Sequence, residues 1–172
     1  MRLSDIAEKL SALEGREADE IHIRLRNPLM KALLSGSDGR TRNSPAEYGE
    51  RELFRARILL ALFDCRLSTA ELAQVNHKLN SAVENIPIER SYYPMALDSI
   101  IRGAREGQRW LLGVRFTRTA DGQQRIAPWV HPESVADVQG RGSAALDLYY
   151  DETHIGTLSI PASDLLLPLL ES

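Results

Sequence analysis

Near Gly107 the spacing of apolar side chains switches from the helical period to the strand period, and any fold for this chain has to respect that switch. Before it, Leu3, Ile6, Ala7 and Leu10, and then Leu53, Ala56, Leu59, Leu60 and Phe63, recur three and four apart, so each run predicts a helix that buries one stripe. After it, Trp110, Leu112, Val114 and Phe116 alternate with polar or small residues. Asp121-Gly122 then supplies a turn, and Gln124, Ile126, Pro128 and Val130 return, which predicts a hairpin. A second hairpin is expected from Leu146, Leu148 and Tyr150, through a turn at residues 151–154, to Gly156, Leu158 and Ile160, with residues 139–143 as a flexible connection. The expected class is α+β: a helical part over residues 1–80, a linker and connecting helix over 81–107, and a β-rich part over 108–172.

Local signals refine the helical part. Ser4 is a plausible N-cap for the first helix, and Asn27 followed by Pro28 opens a helix over residues 28–34 that Gly36 would stop. Residues 20–26 alternate apolar and polar side chains and so admit a strand as well as a helix. Residues 35–45 are all turn chemistry and carry Arg40 and Arg42, which predicts an exposed basic loop. Ser68 and Glu71 form a capping box that opens a helix running to about Leu79, and residues 95–106 resume helical spacing until Gly107 closes them. Residues 164–170 are too apolar to hang in water and are expected to dock on their own sheet or on a partner subunit.

At 172 residues and 43% hydrophobic content the chain suffices for one full core or two small ones. A single cysteine, Cys65, excludes an intramolecular disulfide; in so apolar a run it reads as a small core residue, and that usage fits a reducing cytoplasm. No apolar stretch reaches the roughly 18 residues of a membrane span. Asp5, Glu8 and Lys9 interrupt any signal-peptide core, so a cytoplasmic protein with no membrane partner is expected.

The net charge of -3 excludes a globally basic coat but conceals an asymmetry. Residues 24–66 hold nine basic against five acidic side chains, a local +4 that leaves -7 for the remainder. Phosphate neutralisation needs such a cluster, because each Lys or Arg set against a phosphate displaces a condensed counterion; solvated helix faces relieved by neighbouring glutamates are the ordinary alternative.

The order of elements then resembles the MerR family. Tyr48-Gly-Glu-Arg-Glu-Leu53, Arg55 and Arg57, and Leu67-Ser-Thr-Ala-Glu-Leu72 are similar to that family's Y-S-x-x-D-L block, arginine-bearing helix and F/L-S-x-x-E-I block. Leu3-Ser-Asp-Ile-Ala7 resembles its opening helix, and Leu25-Arg26 with Leu33-Leu34 its recognition-helix signature. The resemblance covers about residues 1–80 and implies a winged helix-turn-helix that grips duplex DNA through a recognition helix and a basic wing. It implies that Arg26 is the recognition-helix arginine, Tyr48 the wing tyrosine beside phosphate, and Arg55 the backbone-reaching arginine of the next helix. Arg40 and Arg42 fall in the wing, and Arg24 and Lys31 are added from helical position. The spacer over residues 11–23 is longer than a helix-turn-helix turn, and Pro28-Leu29 and Ala32 depart from the family pattern.

A transcriptional regulator acting as a homodimer is the expected function, since one short recognition helix reads too few base pairs alone. The β-rich part would then sense a small ligand, bind a protein partner or extend the dimer. The competing expectation is a protein-interaction or adaptor module built on a degenerate winged helix. Four scattered histidines and one cysteine predict no metal site, and no nucleotide or hydrolase fingerprint predicts a cofactor or an enzyme. Only Asp147, Asp151, Glu152 and His154 suggest acid/base chemistry, and they read first as a polar turn. Trp110 and Trp129, near the start of one strand and the end of its partner, are expected to pack together as core, with ligand stacking as the alternative.

Overall fold

In a computed structural model of the protein, residues 1–36, 46–83, 95–133 and 152–171 are described. They form seven helices and a three-stranded antiparallel sheet, so the class is α+β. The chain divides into two compact units, Met1–Ala73 with Pro168–Ser172, and Gln74–Leu167.

The first unit opens with α1 (Leu3–Glu14), whose buried residues Ile6, Ala7 and Leu10 make the expected stripe. Ser4 lies inside this helix rather than capping it: the cap position is Arg2, whose N–H donates to Asp5 Oδ2 at 2.7 Å. Residues 20–26 are helical, within α2 (Ala18–Arg26), and not a strand. The helix buries Ile21 and Leu25, which stand four apart, and sends the intervening Ile23 outward. Asn27 ends α2 and caps α3 (Pro28–Ala32), accepting from the Leu29 N–H at 3.0 Å with Pro28 in the first turn. This helix is shorter than the expected 28–34; Leu33 ends it well before Gly36.

The helix α4 (Glu50–Asp64) gives this unit's core more buried side chains than any other helix, from Leu53 and Phe54 to Leu62, while Phe63 at the end of its stripe is exposed. Its C-terminus is a Schellman motif: Arg66 N–H donates to Phe63 C=O at 2.9 Å and Leu67 N–H to Leu62 C=O at 3.3 Å, with Arg66 left-handed at φ 70°. Cys65 sits on that corner and is exposed, not buried as expected, because the buried stripe has already ended at Leu62. The capping box then opens α5 (Thr69–Leu79): Ser68 N–H donates to Glu71 Oε2 at 2.7 Å, and Glu71 N–H returns to Ser68 Oγ at 3.3 Å.

In the second unit α6 (Ala96–Arg105) precedes the sheet, and Gly107, at φ 71°, follows it in the left-handed conformation. The expected hairpin is formed by β1 (Trp110–Arg118) and β2 (Gln124–Pro132), closed by a turn with Gly122 at φ 85°. On the other side of β1 lies β3 (Thr153–Pro161), so the strand order is β2-β1-β3. Residues 139–143, Leu146, Leu148 and Tyr150 lie outside the described residues; of the turn expected at 151–154, Thr153 and His154 already belong to β3.

Register assigns the two faces of this sheet. Leu112 lies opposite Val130 and Ile160, and this face, with Trp110 and Val114, is the buried one. Gly113 lies opposite Trp129, so Trp129 projects from the other face. The two tryptophans therefore do not pack together: Trp110 is core, and Trp129 stacks on His131 with ring centroids 5.5 Å apart. After β3 the apolar tail forms α7 (Ala162–Leu170). Its first turn is fastened to β1, with Trp110 N–H donating to Ser163 Oγ at 2.9 Å and Arg109 Nη2 3.0 Å from Asp164 Oδ2.

Candidate functional site

Only residues 15–17 separate α1 from α2, so the long spacer expected from sequence is not there: α1 runs on to Glu14 and α2 starts at Ala18. Gly15 makes the corner in the left-handed conformation at φ 64°, its N–H donating to Ser11 C=O at 3.0 Å, while Ser11 Oγ donates to Arg16 C=O at 2.6 Å. A short glycine-containing turn of this kind joins the helices of an αα-hairpin as well as those of a helix-turn-helix. With Ile21 and Leu25 buried, Asp19, Ile23 and Arg26, spaced four and three apart, form the outward stripe of α2. Ile23 is 71% exposed and Leu29, in the first turn of α3, 59%.

The cationic side chains separate into two groups. Arg26 and Lys31 are exposed and have no side-chain partner among the described residues. Arg24 is engaged: its Nη2 lies 2.8 Å from Glu20 Oε1, its Nη1 pairs with Asp64, and its guanidinium stands 5.5 Å from the centre of the Phe63 ring. Arg16 completes that cluster, with Nη1 2.8 Å from Asp64 Oδ2 and Nη2 2.9 Å from Glu20 Oε1. Its hydrogen bond, followed by its charge, holds the Glu20 carboxyl below the ordinary glutamate range. Asp64 thereby ties the start and the last turn of α2 to the end of α4. Arg57 is paired with Glu14 on α1, and burial pulls its pKa down.

Two further residues named by the resemblance lie inside the unit. Arg55 is fully buried, with Nε 3.0 Å from Glu52 Oε2, and the same carboxylate oxygen accepts from Ser35 N–H at 2.9 Å. Tyr48 is 4% exposed, and its ring lies against Gly36, where an added Cβ would meet Cε1 at 2.9 Å. Residue 48 is also bound to the N-terminus, its N–H donating to Met1 C=O at 2.8 Å and its C=O accepting from the Met1 ammonium at 2.9 Å. Burial first, and the Glu52 charge second, push the Tyr48 phenol up. As placed, both side chains hold α4 and the segment before it rather than meet a surface ligand. Arg40 and Arg42 lie outside the described residues.

Arg16 was not singled out by motif, yet the spacing Arg16, Glu20, Arg24 is the i,i+4 alternation that marks a paired helix face. Of the acidic cluster expected near β3, Asp147 and Asp151 lie outside the described residues. Glu152 accepts from Thr117 Oγ1 at 2.6 Å and pairs with Arg125 at 3.1 Å, and His154 Nε2 lies 3.1 Å from Thr157 Oγ1. No group of metal-ligating side chains occurs among the described residues, and no helix among them is long and apolar enough to cross a membrane. Comparison with protein-family models, with curated proteins and with solved structures finds no match to the chain.

Proposed function

We propose that this protein is a DNA-binding transcriptional regulator of MerR-like type that acts as a homodimer, with α2 as the helix set into the major groove. The observation that carries this reading is the three-residue turn between α1 and α2 together with the outward stripe of α2. That stripe pairs a guanidinium, Arg26, with an exposed apolar side chain, Ile23. These are the two side-chain types that read guanine edges and thymine methyl groups. Lys31, and Arg40 and Arg42 in the wing the resemblance implies, supply phosphate contacts. Arg24 acts through Glu20 and Asp64 to position α2, and Arg55 and Tyr48 support it from within.

The test is titration of a random duplex across a salt series. Three phosphate contacts per protomer, from Lys31, Arg40 and Arg42, give a slope of log affinity against log salt of about -2.7. Arg40→Ala and Arg42→Ala weaken binding to all sequences alike, whereas Arg26→Ala also relaxes base preference. A duplex affinity indifferent to salt, or unaltered by Arg26→Ala, overturns the reading. The exposure of Ile23 and Leu29 favours one second reading, a protein-docking module on the same helices. Its mark is absence of duplex binding at low salt together with a protein partner whose binding Ile23→Asp abolishes.

A further inference from the structure

The face of the sheet opposite the core is not apolar, and its composition points to a ligand. Along β2, Trp129 and His131 are two residues apart and stacked, their ring planes 23° from parallel, and both are half-buried. The indole lies flat on the central strand because Gly113, directly opposite, has no side chain; a Cβ there would stand 2.0 Å from Cε2 and Cζ2 of Trp129. Two residues further along β1, and therefore on the same face, is Arg115, half-buried and without a carboxylate partner among the described residues. Thr157 is its neighbour on β3. Diagonal neighbours across a sheet are roughly 7–8 Å apart, within reach of an arginine side chain, and a base and its phosphate are separated by a comparable distance.

We propose that this face binds a nucleotide unit, the base stacked on Trp129 and His131 and the phosphate against Arg115. An aromatic pair gives a base of any identity a π-surface, and an unpaired guanidinium beside it selects an anionic ligand over a neutral aromatic one. The site is separate from α2 and does not rest on the regulator reading. The nucleotide unit comes either from a single strand or from a free nucleotide, and the two sources are separated by the probes below.

The chain contains only two tryptophans, and Trp110 is buried on the opposite face, so fluorescence reports the site with an internal reference. The full-length protein is titrated with a dye-labelled oligothymidylate strand and, separately, with thymidine monophosphate. Saturable quenching is expected in the wild type, and none in Trp129→Phe, where only Trp110 still emits. By anisotropy of the labelled strand, Trp129→Ala lowers affinity by roughly 5- to 150-fold, the range for one stacked base. Arg115→Gln, at a strand position outside the buried face, lowers affinity and makes the salt slope shallower by about 0.7, which keeps the test decisive should Trp129→Ala not fold. Saturable quenching by the monophosphate alone assigns the site to free nucleotides; quenching by the strand alone assigns it to single strands. Absence of quenching by both probes, or strand affinity that Arg115→Gln leaves unaltered while Arg26→Ala reduces it, overturns the proposal.

Discussion

Replacing Gly103 by alanine decides whether helix propensity or packing governs the contact between α6 and β1. Propensity alone makes the change stabilising by about 1 kcal/mol, because a helix interior loses a residue with excess backbone freedom. The structure reverses the sign. A Cβ at position 103 would stand 2.2 Å from both Cδ1 and Nε1 of Trp110, whereas ordinary contact begins at 3.4 Å, so the indole must retreat by about 1.2 Å. It has little room to do so: Trp110 is 4% exposed, its backbone N–H is bound to Ser163 Oγ at 2.9 Å, and register fixes the residue opposite Pro132. Forcing an extra carbon into such a contact costs about 1–3 kcal/mol, which leaves a net loss of about 1 kcal/mol and at most about 2 after the propensity gain. Urea unfolding followed by circular dichroism should show the midpoint lowered by about 0.5–1 M. In a Trp110→Leu background, where the overlap is gone, the same Gly103→Ala change should become neutral or stabilising. A Gly103→Ala single variant at least as stable as the wild type would refute the packing argument.

Arg55→Ala strands Glu52 as a buried carboxylate, and thermal unfolding should report a loss of about 3–5 kcal/mol; a surface arginine would give less than 1 kcal/mol. Arg66→Gly relieves a left-handed residue in the Schellman corner after α4 and should raise stability by about 0.5–1 kcal/mol in the same assay, with no gain if the corner relaxes in solution. Because the folded Glu20 carboxyl is depressed, its contribution is present above the ordinary glutamate range and is lost as pH falls through the depressed value. Melting curves across an acid series should therefore show Glu20→Gln converging on the wild type at low pH and diverging from it near neutrality; parallel curves would mean that the pairs of Glu20 with Arg16 and Arg24 contribute nothing to stability.

The readable parts of this fold were those where one local rule suffices. Ser68 and Glu71, Asn27 before Pro28, and the alternation around Asp121-Gly122 each specify a cap or a turn within a few residues, and each is realised. The errors lie where two periods compete or where tertiary packing decides. Residues 20–26 satisfy a strand by alternation, but Ile21 and Leu25 satisfy a helix by spacing, and burial of both with Ile23 outside shows which pattern the unit's core selected. Trp110 and Trp129 looked like partners because they are close in the hairpin, yet an odd register offset puts them on opposite faces. The glycines that receive them, Gly103 and Gly113, carry no local signal at all; their significance is visible only when the indole above each is in place.

The same distinction bears on charge. Nine basic residues between positions 24 and 66 form a count along the chain, and a phosphate responds only to cations that remain unneutralised at the surface. Arg24 is held between Glu20 and Asp64 and Arg57 by Glu14, two ties among α1, α2 and α4, and Arg55 is paired with Glu52 within α4, so at least three of the nine are engaged. A paired arginine releases no counterion until its carboxylate is displaced, and the first unit as a whole holds 12 basic against 13 acidic side chains, so its long-range attraction for a duplex is weaker than the +4 of residues 24–66 implies. Under the regulator reading, discrimination must then come from short-range contacts of Ile23 and Arg26 with base edges, and a second copy is the economical way to strengthen it. Two-fold symmetry repeats those contacts one helical turn away without adding unpaired charge to either protomer. On this reasoning Asp64→Asn, which frees Arg16 and Arg24 and loosens α2, should tighten binding to random duplex while narrowing the ratio between preferred and random sequence. A variant in which both affinities rise by the same factor would mean that Asp64 only subtracts charge and does not position the helix.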